Sequence, residues 1–130
     1  MVGIVVASHS QRLAEGVVEL ARMMAPNVPM AAAGGLDDNT TGTSCKKILG
    51  AMTQVYSDDG VAILMDLGSA VMTAEVAMEM FGRPRLRLVD CPLVEGAVVA
   101  AIESNQGKTL DEIEERAIAA SGMKKLSFSA

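Results

Sequence analysis

The chain has 130 residues, half of them hydrophobic, with a net charge of −5 and aromatic residues at only 2%. This length and composition suit a single hydrophobic core and exclude a disordered chain or a disulfide scaffold. The basic footprint and aromatic stacking platforms of a nucleic-acid binder are both missing.

The amino terminus has no basic run, and its apolar stretch is too short for a signal peptide or a membrane span. A soluble, cytoplasmic protein with no membrane insertion is expected. Cys45 and Cys91 sit in unrelated contexts and suggest neither zinc nor a disulfide.

The first element is the run Gly3-Ile4-Val5-Val6-Ala7, which ends in Ser8-His9-Ser10. It is apolar without alternation, so it predicts a strand buried on both faces. Beyond it, Leu13, Val17, Leu20, Ala21 and Met24 recur at helical spacing. Pro26-Asn27 stops that helix, and Val28 to Ala33 reads as a second strand. Pro29 cannot donate to a ladder, which puts this strand at a sheet edge. A glycine-rich loop from Gly34 to Gly42 follows. Thr43 or Ser44 caps the next helix, whose buried face is Ile48, Leu49, Met52, Val55 and Tyr56.

After the turn Ser57-Asp58-Asp59-Gly60, Val61 to Met65 is again continuously apolar and predicts a second central strand. Asp66-Leu67-Gly68-Ser69 leads into a helix that reaches about Met80, and Gly82-Arg83-Pro84 ends it. Arg85 to Asp90 alternates, as a half-exposed strand does. A helix spans about 94–104 and stops at Asn105-Gln106-Gly107. Thr109-Leu110-Asp111-Glu112 is a capping box, opening a last helix with Leu110, Ile113, Ala117 and Ile118 on one face. The tail from Lys124 to Ser129 leaves both a frayed end and an extra edge strand open.

The alternation of strands and helices implies an α/β fold: an open, three-layer, mostly parallel sheet with helices on both faces. Two central and two edge strands fit the order 2-1-3-4. The switch point then lies between the first and third strands, and ligands bind at such points. His9 ends one of these strands and Asp66 the other. His9 is the only histidine in the chain.

A carboxylate that binds one ring nitrogen fixes the tautomer and leaves the other nitrogen as a nucleophile. The loops from Gly34-Gly35 to Thr43-Ser44, together with Gly68-Ser69, add amides, hydroxyls and helix N-termini that suit anionic oxygens. Ser10 joins this set, so the candidate phosphate ligands are Ser10, Gly35, Thr43, Ser44, Gly68 and Ser69. No Walker or dinucleotide fingerprint occurs, and no metal or cofactor is expected. The combination suggests a histidine that carries a phosphoryl group, with Asp66 orienting it. The plainer alternatives are a loop histidine and a turn carboxylate. A response-regulator receiver shares the architecture but needs an acidic pair where Ser8-His9-Ser10 stands, and a late lysine that no strand here supplies.

Several segments together resemble one family: Gly3 to Ser10, Leu13-Ala14-Glu15-Gly16, Ala32-Ala33-Gly34-Gly35, Gly42-Thr43-Ser44, Met65 to Ala70 and Pro92 to Ala101. It is the phosphotransferase subunit of phosphoenolpyruvate-dependent dihydroxyacetone kinase, built on the mannose-type enzyme IIA fold. The resemblance covers about residues 1–120 and implies that residues 1–130 form one such domain. It implies that His9 accepts a phosphoryl group from phospho-HPr and passes it to ADP on the ADP-binding kinase subunit. Members with extra phosphocarrier domains run longer, so a separate HPr is expected here. Sugar-specific IIA domains, which pass the group to a IIB domain, are the alternative that the resemblance leaves.

A homodimer is also expected. The helices at about 70–80 and 94–102 are apolar nearly all round, flank the third and fourth strands and need cover on a second side. The alternative is that the helix from Thr109 folds back over them.

Overall fold

The structure is a computed structural model and describes residues 1–126. Four strands form one parallel sheet: β1 (Gly3–Ser8), β2 (Met30–Gly34), β3 (Val61–Met65) and β4 (Leu86–Val89). Their order is β2-β1-β3-β4, as expected. The helices are α1 (Gln11–Met24), α2 (Cys45–Val55), α3 (Ala70–Phe81), α4 (Leu93–Asn105) and α5 (Leu110–Ala119). Among the described residues there is no fifth strand; residues 127–129 of the tail lie outside them.

Every residue of β1 is buried, and so are the first four of β3, because helices cover both faces. Alternation splits β1 between two cores. Ile4 and Val6 pack with Ala14, Val17, Val18 and Ala21 of α1, with α4 and with α5. Val5 and Ala7 pack with Ile48, Ala51 and Met52 of α2 and with Ala74 and Ala77 of α3. The three layers are therefore α1, α4 and α5 over one face and α2 and α3 over the other.

Two details differ from the sequence reading. The buried stripe of α1 is Ala14, Val17, Val18 and Ala21, while Leu13, Leu20 and Met24 are exposed. Small residues let the helix lie close to the sheet, and the longer ones splay along its flanks. Ile118 of α5 is likewise exposed.

The second difference concerns the apolar helices. α3 and α4 lie on opposite faces of the sheet, so they cannot form one contiguous patch. α1 and α5 cover α4 within the chain, its Gly96, Ala97, Ala100 and Ala101 being buried. α3 keeps an open side, with Met72, Val76 and Met80 exposed at one-turn intervals.

The close fit at the upper edge depends on Gly34. A Cβ there would strike the Ser10 carbonyl oxygen and the Gln11 Cα, so β2 reaches the start of α1 only because the position is glycine.

Candidate active site

The ladder between β1 and β3 pairs Ala7 with Met65. One residue further along are Ser8 and Asp66, and the Asp66 amide still donates to the Ala7 carbonyl at 3.2 Å. Both chains leave the sheet here, at the switch point, and His9 follows Ser8 directly. Residues 58 apart in sequence thus become neighbours because β1 and β3 are adjacent.

Asp66 is the hub. Its Oδ1 lies 2.9 Å from His9 Nδ1 and accepts the Leu67 amide at 2.7 Å. Its Oδ2 accepts the Ser8 hydroxyl at 2.9 Å and the His9 amide at 3.0 Å. Burial alone pushes this carboxyl up. The hydrogen bonds from the His9 amide, the His9 ring, the Ser8 hydroxyl and the Leu67 amide outweigh it and hold the group below its ordinary value of 3.8. Asp66 is therefore a carboxylate at neutral pH, an acceptor only, and its partner Nδ1 is the protonated ring nitrogen.

The lone pair then belongs to Nε2, which meets the Ser69 hydroxyl at 2.8 Å. With this tautomer Ser69 donates and Nε2 accepts. The His9 side chain is 27% exposed and that of Asp66 only 10%, so the ring edge is open while its anchor is enclosed. A ring held in this way offers Nε2 as a nucleophile and keeps a carboxylate ready to balance the cationic ring that forms on attack.

The other expected phosphate ligands fall into two groups. Gly68 and Ser69 sit at the start of α3, and Gly68 has open space where a Cβ would stand. Ser10, Gly35 and Ser44 have local partners. The Ser10 hydroxyl accepts the Leu13 amide and caps α1. The Gly35 amide donates to the Ser8 carbonyl at 3.1 Å. Ser44 caps α2 through the Lys47 amide and also donates to Asp37. Thr43 pairs with Thr73 at 2.9 Å between hydroxyl oxygens, tying the loop to α3. Among the described residues, no three His, Cys, Asp or Glu side chains converge as metal ligands would.

Sequence reading passed over three residues. Ser8 is fully buried beneath Asp66. Thr73 lies one helical turn beyond Ser69, a spacing that put it within reach of the same region. Lys47 extends back from α2 to the Gly34 carbonyl at 2.8 Å and to Asn39, pinning the loop.

A family model, EIIA-man, described as the PTS system fructose IIA component, matches residues 3–114. The phosphoryl donor subunit DhaM of the PEP-dependent dihydroxyacetone kinase of Escherichia coli is 40% identical over 120 residues, 87% of this chain. The chain spans only 25% of that relative's length. The phosphotransferase subunit DhaM of the PTS-dependent dihydroxyacetone kinase of Lactococcus lactis subsp. lactis is 35% identical over 88% of this chain and 91% of its own. Among solved structures, a protein of unknown function superposes with a TM-score of 0.82 at 31% identity, covering 98% of this chain and all of the other. No helix is long and apolar enough to cross a membrane among the described residues. Matched by that model over most of its length and nearly coextensive with a relative at 35% identity, the chain belongs to the EIIA-man family, alongside the DhaM phosphotransferase subunits.

Proposed function

We propose that the chain is a cytoplasmic phosphohistidine carrier, a single domain that takes a phosphoryl group from phospho-HPr and passes it to ADP on the ADP-binding subunit of dihydroxyacetone kinase. Phosphoenolpyruvate thereby drives phosphorylation of dihydroxyacetone. The observation that carries this reading is the line from Asp66 Oδ1 through the His9 ring to Ser69.

The His9 Nε2 lone pair forms the new N–P bond as the bond between phosphorus and the donor breaks, and the donor atom keeps the bonding electrons. His9 becomes cationic, its Nδ1–H still bound to Asp66. The Ser69 hydroxyl, released from Nε2, turns to a phosphoryl oxygen, with the start of α3 at Gly68 beside it. The cradle is thus centred on Gly68 and Ser69; Ser10, Gly35, Thr43 and Ser44 mainly shape the rim.

Labelling with phosphoenolpyruvate, enzyme I and HPr tests the carrier. The label is expected to be acid-labile, base-stable and absent from His9→Ala; an equally labelled His9→Ala protein refutes it. The description of the matching family model favours one second reading, a sugar-specific IIA domain. Mixing the phosphorylated protein with an ADP-loaded kinase subunit, and separately with a IIB domain, decides between them.

The exposed stripe of Met72, Val76 and Met80 on α3 supports a homodimer formed through that face. Light scattering should give twice 13.5 kDa, and a single species at 13.5 kDa refutes the dimer.

A further inference from the structure

Ser8 is a fully buried polar side chain in an otherwise apolar strand. Its hydroxyl has two partners: it donates to Asp66 Oδ2 at 2.9 Å and accepts the Ser10 amide at 3.0 Å. One O–H serves both, which fixes its direction, with the proton toward the carboxylate and a lone pair toward the amide. Ser10 is also the cap of α1. The hydroxyl therefore joins the carboxylate that holds the His9 ring to the start of the helix that follows it.

The terminal torsion of an aspartate is broad, so its carboxylate orientation is set by its hydrogen bonds. On Oδ2 those are the Ser8 hydroxyl and the His9 amide. Without Ser8, that oxygen keeps one donor and the carboxylate gains freedom to turn, carrying Oδ1 away from Nδ1. We propose that Ser8 is a positioning residue for phosphotransfer: it locks the Asp66 carboxylate and so keeps His9 in the tautomer whose Nε2 is free to take the phosphoryl group. This rests on the reading of His9 as the carrier.

The opposing idea is that Ser8 only fills the end of β1, in which case ring tautomer and transfer rate are indifferent to its hydroxyl. The ring nitrogens of His9 in 15N-labelled, unphosphorylated protein separate the two without any phosphoryl donor. Wild type is expected to show the proton on Nδ1. Ser8→Ala is expected to move part of the population to Nε2–H and to slow loading from phospho-HPr about tenfold or more, the scale for one hydrogen bond to a charged group. A Ser8→Ala protein with the wild-type tautomer and loading rate overturns the proposal.

A second measurement needs no variant, should Ser8→Ala fail to fold. The Ser8 hydroxyl proton of wild type is expected to exchange slowly with solvent and to show an NOE to the His9 amide. Free exchange overturns the proposal. If wild type does not load at all, the carrier reading falls, while the tautomer and exchange measurements still judge Ser8.

Discussion

Replacing Asp66 by Asn tests the hub of the site with almost no change in volume. The carboxylate accepts four hydrogen bonds, two on each oxygen. An amide has one acceptor oxygen and one donor nitrogen, so no orientation reproduces this set. If the nitrogen replaces Oδ1, it meets the Leu67 N–H donor to donor, and it bonds to Nδ1 only if the ring proton moves to Nε2. The nucleophilic lone pair is then lost. If the nitrogen replaces Oδ2, it meets the His9 amide, again donor to donor, and the ring loses its charged partner. Each lost hydrogen bond to a charged group is worth about 1.5–3 kcal/mol. At about 1.4 kcal/mol per factor of ten, loading from phospho-HPr should fall roughly 10- to 100-fold in either case, and further where the tautomer is wrong. Rapid-quench measurement of phosphoryl transfer reads this directly. An Asp66→Asn protein that loads within twofold of wild type would refute the reasoning.

The remaining predictions concern pH and packing. The folded-state pKa of Asp66 is depressed, so its stabilising contribution is present above the unfolded value near 3.8 and is lost as pH falls through the lower folded value. The stability gap between wild type and Asp66→Asn, measured by urea unfolding, should be full at pH 7 and shrink only below about pH 4; a gap unchanged down to pH 2 would rule this linkage out. Gly96→Ala should cost about 1–3 kcal/mol, because the new methyl would strike Cys91 Sγ, and Cys91→Ala should recover most of it. Additive losses in that double-mutant cycle would show that the clash is not the cause. Burial, with a smaller contribution from Asp90, pushes the Cys91 thiol up to about 11. At pH 8 its thiolate fraction falls about a hundredfold below that of an ordinary thiol, and higher intrinsic nucleophilicity recovers roughly tenfold. Alkylation followed by mass spectrometry should find Cys91 about tenfold slower than an unhindered thiol, and equal rates would contradict the shift.

The adjacency of His9 and Asp66 was legible because β1 and β3 are apolar without alternation. That forces both to be central and so neighbours in a four-strand sheet, and Pro29 sends the second strand to an edge, a pattern that the order 2-1-3-4 satisfies. The place of Ser69 beside the site followed in outline, since it heads the helix after Asp66, but its contact with Nε2 did not, because the direction of a capping hydroxyl depends on local geometry. Ser8 was not legible: a serine at a strand end reads as the first loop residue, and only the register shows it buried under the carboxylate. The helix faces were half legible, because periodicity marks a stripe but not whether alanines or leucines occupy its centre. In α1 the alanines did.

The layer assignment was within reach of physical argument. Parallel crossovers are right-handed, so the face a helix takes depends on the direction in which the chain moves across the sheet. From β1 to β2 the chain moves one way; from β2 past β1 to β3, and on to β4, it moves the other. That rule alone places α1 on one face and α2 with α3 on the opposite face, as observed. Among the described residues α4 leads to no further strand, so handedness does not assign it a face. Room does: α1 covers the β1–β2 side of its layer and leaves β3 and β4 bare, and α4 and α5 fill that space. The small residues of α4 allow its close approach to the sheet. α3 has α2 on one flank and, among the described residues, receives no such cover on its outer side. Met72 and Met80 therefore stay exposed, and any second copy of the chain would have to be sought there.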